Sequence, residues 1–174
     1  MPSPRPRLAG PSQPPASGGP AAQLVVLLHG VGADGADLIA LAPLLASVLP
    51  DAAIVAPDAP DAFDMAPFGR HWFSRADRAP AAIARAIRDA APTLDAYLDE
   101  QLTRWGVPAS DLVLVGFSQG AMMALQVGLR RAQPPAAVVG RSGALADPGG
   151  LGAAIRAPPP ERKQHGTAHE VVNH

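Results

Sequence analysis

The chain has no cysteine in its 174 residues. That excludes disulfides, thiolate metal sites and a cysteine nucleophile. It also lacks a dominant charge: the formal net charge is −1, with both signs scattered along the chain, so neither a nucleic-acid surface nor a polybasic membrane patch is expected. No apolar stretch approaches the roughly 18 residues of a membrane span. Arg5 and Arg7 are not followed by the apolar run of a secretory signal. A cytoplasmic protein without a membrane span is the expectation. What is present is a chain long enough for one domain. Its residues are 48% hydrophobic, but much of that is alanine, which limits the area each buried side chain contributes.

Residues 1–22 are rich in Pro, Gly, Ser and Ala and have no hydrophobic period, so they read as a disordered leader. A single domain is expected over 23–174. Leu24 to Leu28 is a short continuous apolar run, as in a strand covered on both faces of a parallel sheet. His29 to Gly35 is a glycine-bearing loop. Asp37 is placed to cap a helix reaching about Leu49, with Leu38, Leu41, Leu45 and Val48 on one face. A second strand is expected over 53–56. Residues 57–80 are irregular and carry most of the aromatics. Ile83, Ile87, Leu94, Leu98, Leu102 and Trp105 mark a long amphipathic helix, kinked or restarted at Pro92 and ended by Gly106 and Pro108. A third strand (112–115), a third helix (119–131) and a fourth strand (136–139) follow. Strands alternating with helices imply a mostly parallel sheet with helices on both faces, an α/β fold.

The most informative stretch is Leu112 to Met122. An apolar run feeds Gly116-Phe117-Ser118-Gln119-Gly120, and a helical pattern leaves from Gln119. A strand, a tight turn and a helix with serine at the bend hold a hydroxyl at the end of a buried strand. A side chain at Gly116 or Gly120 would crowd that turn. The competing reading is a serine that merely caps the helix. Acyl transfer also needs two N–H donors for the developing oxyanion. One follows the nucleophile, here Gln119. The other belongs to the loop after a neighbouring strand, and Val31 suits it, flanked by Gly30 and Gly32 in Leu28-His29-Gly30-Val31-Gly32.

These segments resemble the phospholipase/carboxylesterase family of α/β-hydrolases, the group that includes acyl-protein thioesterases. Leu27 to Gly35 is similar to its oxyanion loop, and Ala56-Pro57-Asp58-Ala59-Pro60 to its next strand end. Gly69-Arg70-His71-Trp72-Phe73-Ser74 resembles its Gly-Arg-x-Trp-Phe segment, Gly116 to Ala121 its nucleophile turn, and Gly140 to Leu145 the segment after its next strand. The resemblance implies a reduced α/β-hydrolase core. It makes Ser118 the nucleophile and Val31 and Gln119 the oxyanion donors. It also implies hydrolysis of carboxylic esters or thioesters through an acyl-enzyme, with no metal or organic cofactor and a small ester or acyl compound as substrate. Trp72 and Phe73 either line an acyl pocket or anchor a long loop. His29 is expected to be structural and His71 a pocket wall.

Farther on, the pattern departs from the family. Where members have His-Gly-x-x-Asp-x-Val-Val, this chain has His165-Gly166-Thr167-Ala168-His169-Glu170-Val171-Val172, with His169 at the acid's position. Glu161-Arg162-Lys163-Gln164 replaces the strand before it, and the segment carrying the family's base is absent. The domain is therefore expected to be incomplete at its C-terminus. His169 is the candidate substitute base, oriented by Glu170 or Asp147; the other reading is a solvated histidine near a chain end. His165 and His174 have no assigned role, and Gly166 argues against a helical metal pair of His165 and His169. Without a base, serine is a weak nucleophile, and in a well-studied serine protease its loss costs about 10⁶ in turnover. An incomplete, non-catalytic hydrolase-like protein is thus the alternative. Both sheet edges are expected to be open, which favours self-association.

Overall fold

Short apolar runs become strands here because each is covered on both faces. The computed structural model describes residues 6–144. Within them the chain forms β1 (Ser12–Gln13), β2 (Gln23–Leu28), α1 (Gly35–Ile39), α2 (Ala42–Val48) and β3 (Ala52–Val55). Then come β4 (Asp61–Ala62), β5 (Arg70–His71), α3 (Pro80–Trp105), β6 (Leu112–Phe117), α4 (Gln119–Gly128) and β7 (Ala137–Arg141). Five strands make one sheet in the order β1-β3-β2-β6-β7. All neighbours pair in parallel except β1, which is antiparallel to β3. This is an α/β-hydrolase-like fold with a mostly parallel sheet. β4 and β5 form a separate antiparallel pair.

The alternation of β2 divides the core. Leu24, Val26 and Leu28 pack in one cluster with Ile87, Leu94, Leu98, Met123 and Val127 from α3 and α4. Val25 and Leu27 point the other way and join Ile54, with Leu38 and Leu45 packed against them from α1 and α2. The registers set Leu28 opposite Gly116, and Gly116 opposite Gly140. The carboxyl ends of three strands are therefore level, at the end of an open parallel sheet where ligands bind.

Several expectations need correction. Residues 6–22 are not a structureless leader. Leu8 is buried, and the segment runs along β3, with Pro11 O accepting from Ala56 N at 3.0 Å and Ala9 O from Asp58 N at 2.7 Å. Proline cannot donate to a ladder, but its carbonyl accepts, so a proline-rich strand is tolerated at a sheet edge. The edge of β3 expected to be open is thus covered opposite Ile54 and Val55. The expected first helix is two. Asp34, rather than Asp37, is the cap of α1, and Asp37 completes a reciprocal capping box with it. Pro43 lies in the first turn of α2, where it is tolerated, but it could not continue a helix from α1. α3, by contrast, is uninterrupted at Pro92, because buried Ile87, Leu94 and Leu98 hold it against the sheet despite the lost intrahelical bond. Gly106 ends it in the left-handed conformation, φ 68°. α4 stops at Gly128, short of Arg131. Among the described residues no helix is long and apolar enough to cross a membrane.

Candidate active site

Ser118 stands between β6 and α4 with φ 50° and ψ −113°. Non-glycine residues avoid this region, so the conformation stores strain that the surrounding packing must hold. The packing is glycine against backbone. A Cβ on Gly116 would overlap the backbone of Gly120, and a Cβ on Gly120 would overlap the carbonyl of Leu28 at the end of β2. Ser118 N donates to Arg141 O at 2.8 Å, which ties the turn to β7. The side chain is exposed, although the strand that carries it is largely buried. Its Oγ has no hydrogen-bond partner among the described residues.

The His29–Gly32 loop lies directly against this turn. A Cβ on Gly30 would sit 3.3 Å from Ser118 Cβ and 3.4 Å from Phe117 O. Gln119 is the first residue of α4, so its N–H has no intrahelical acceptor. Val31 N has no acceptor among the described residues either. The loop is braced from its other side by Arg70: Gly32 N donates to Arg70 O at 2.9 Å, and Arg70 N to Ala33 O at 3.0 Å. Gly32 has φ 83°.

His29 is structural, as expected, and it acts through its side chain. It is fully buried. Nδ1 lies 2.7 Å from Gly30 O and Nε2 accepts from Ala59 N at 2.9 Å. These two bonds fix the tautomer with the proton on Nδ1. Burial holds the imidazole pKa below its ordinary value, and the bond to Gly30 O opposes that only in part. A histidine so engaged is unavailable as a base.

The side chain of Gln119 was given no role by sequence reasoning. It is 2% exposed, and its carboxamide accepts from Trp72 N at 2.7 Å and donates to Phe73 O at 2.8 Å. Trp72 Nε1 donates to His29 O at 2.9 Å, with the two rings 5.5 Å apart. Trp72 is therefore an anchor joining the aromatic segment to both turns. Phe73 does face a cavity of about 210 Å³, together with Val31, Phe63, Met65, His71, Asp64, Arg75 and Arg78. Trp72 is not among its lining residues. Arg70 was visible only as part of a motif. It also spans the loop with its guanidinium, donating to Ala59 O and, at 2.7 Å, to Pro60 O.

His169, Glu170, Asp147, His165 and His174 lie outside the described residues. Among those described, no three His, Asp or Glu side chains are grouped to hold a metal ion.

Comparison with known proteins identifies the family and the fold. The phospholipase/carboxylesterase family model matches residues 15–174. A solved structure of esterase PE8 is 43% identical, with a TM-score of 0.86, over 91% of this chain and 74% of that one. A phospholipase/carboxylesterase from Dyadobacter fermentans is 26% identical, with a TM-score of 0.54, over 79% of this chain and 63% of that one. SOBER1 of Arabidopsis thaliana shares the fold at 20% identity, with a TM-score of 0.68, over 85% of this chain and 75% of that one.

Proposed function

Since this chain belongs to the phospholipase/carboxylesterase family, we propose that it is a serine acylhydrolase acting on a small carboxylic ester or thioester through an acyl-enzyme. The observation that carries the reading is the backbone of Ser118. It is strained at φ 50°, exposed, and pressed against Gly30 of a loop whose next residue, Val31, has an N–H with no acceptor among the described residues. Ser118 Oγ bonds to the acyl carbon as a base takes its proton. The carbonyl oxygen becomes an oxyanion held by the N–H groups of Val31 and Gln119. Its collapse expels the alcohol or thiol, which takes the proton from the base. Water then repeats the sequence and frees the acid. His169 is the base in this reading, and no cofactor takes part. Cytoplasmic location belongs to the same reading, as does self-association through β7, whose outer edge no other strand of the described residues covers.

A fluorophosphonate probe tests it. The probe should label Ser118 covalently, with no labelling of Ser118→Ala. His169→Ala should slow labelling by about 10³ or more. Because Ser118 Oγ has no partner among the described residues, a second reading stands beside the first: a hydrolase-like protein that binds acyl compounds without cleaving them. Folded protein that resists the probe would decide for it.

A further inference from the structure

The cavity beside Val31 carries more charge than an acyl chain needs. Phe63, Met65 and Phe73 give it an apolar wall, but Arg75 and Arg78 also face it. Several arginines elsewhere in the described chain are engaged. Arg70 holds two carbonyls, Arg131 pairs with Asp95 and Asp99, and Arg7 pairs with Glu100. Neither Arg75 nor Arg78 has a carboxylate partner among the described residues. Asp64 faces the cavity too, but it is locally occupied: its carboxylate accepts from Ser74 Oγ at 2.7 Å and lies 3.6 Å from His71 Nδ1. The lining keeps a net positive charge.

We propose that this cavity selects an ester carrying a second, anionic group, a carboxylate, with Arg75 and Arg78 as the specificity-determining residues that receive it. The proposal rests on the acylhydrolase reading, which places the reacting carbonyl at Val31. At about 210 Å³ the cavity is smaller than the roughly 300–1,000 Å³ of sites for drug-sized ligands, which suits a short carbon chain ending in a charge better than a long lipid tail. A guanidinium offers two parallel N–H groups to a carboxylate. Both arginines are exposed, so each contributes only about threefold to fivefold in affinity.

The test uses the full chain as Ser118→Ala, in which esters act as ligands and are not consumed, and reads binding by calorimetry. Monomethyl adipate carries its carboxylate on the acyl side, 4-butyryloxybutanoate on the alcohol side, and methyl hexanoate carries none. One of the two anionic esters should bind about tenfold more tightly than methyl hexanoate, and which one it is assigns the cavity to the acyl or the alcohol portion. Added salt should weaken that preference, and a further Arg75→Gln, Arg78→Gln pair should reduce it to about one. Equal binding of charged and neutral esters, no binding of either anionic ester, or a preference that survives the double substitution overturns the proposal. The acylhydrolase reading fails separately, through absent probe labelling of the unsubstituted protein, since binding to Ser118→Ala needs no turnover.

Discussion

Two regions meet at Ser118, and they are held by different means. The turns after β2 and β6 are fixed by glycines pressed against backbone: Gly116 against Gly120, and Gly120 against the carbonyl of Leu28. The segment from residue 57 to 79 has little regular structure beyond the β4–β5 pair. It is held largely by side chains reaching backbone groups: His29 to Ala59, Asp58 to Gly35, Arg70 to Ala59 and Pro60, and Gln119 to Trp72 and Phe73. Steric exclusion by backbone tolerates no substitution, whereas hydrogen bonds from side chains are lost one at a time. The Ser118 turn is therefore rigid, and the aromatic segment beside it is adjustable.

The strongest way to break this contrast is to place a methyl group where backbone already sits. Gly120→Ala should cost about 4 kcal/mol or more, because neither Leu28 O nor the helix can move independently. Loss of a cooperative thermal transition is the expected result. Gly69→Ala should be of similar severity. Its Cβ would overlap the backbone of Gly32, and its φ of 80° is unfavourable to any side chain. A variant of either glycine with an unchanged melting temperature would remove the steric half of the comparison.

Gln119→Leu tests the other half. It keeps the volume but strands Trp72 N–H and Phe73 C=O in the interior, at about 1–3 kcal/mol for each unsatisfied group. The protein should still fold, with a lower urea midpoint and faster exchange of the Trp72 amide. If Gln119→Leu instead abolished folding, the aromatic segment would be as indispensable as the glycine turns.

The same division explains what was legible in the sequence. Ser118, Gly116 and Gly120 stood out because a strand run, a turn and a helical pattern follow one another without interruption. The four parallel strands were readable for the same reason. The bonds of the aromatic segment were not, because they join residues far apart in sequence: Ala59 to His29 across 30 positions, Trp72 to Gln119 across 47. No local period reports such a pair. Trp72 therefore read equally well as pocket or anchor, and the Gln119 carboxamide was overlooked beside its own N–H. The proline-rich start misled for a compositional reason: few hydrophobic residues suggest disorder, yet Leu8 and a row of accepting carbonyls suffice to seat it on β3.

His29 gives a smaller effect with a defined sign. Its folded pKa is depressed, so the unfolded chain takes up the proton first as pH falls through about 6.5. Stability should decline below that pH and level off once the folded imidazole protonates too, with a slope of at most about 1.4 kcal/mol per pH unit. Protonation puts a proton on Nε2, the atom that accepts from Ala59 N, so the loss begins where the aromatic segment joins the His29–Gly32 loop. In urea titrations at pH 7.5 and 5.5, His29→Gln should show less pH dependence than the unsubstituted chain. An unaltered dependence would assign it to other groups.

A pair of glycine variants separates strain from overlap within one contact. Gly32 and Gly69 face each other, one from each region, with φ values of 83° and 80°. A Cβ on Gly32, however, would meet nothing closer than the Phe63 ring at 3.8 Å, an ordinary contact. Gly32→Ala therefore bears only the cost of a left-handed alanine, about 1–2 kcal/mol, while Gly69→Ala bears that cost and the overlap with Gly32 as well. Chemical denaturation of the two variants, measured side by side, should rank them in that order. Equal losses would mean that backbone conformation alone holds the His29–Gly32 loop to the segment above it, and the division between a sterically fixed turn and an adjustable aromatic segment would not extend to their junction.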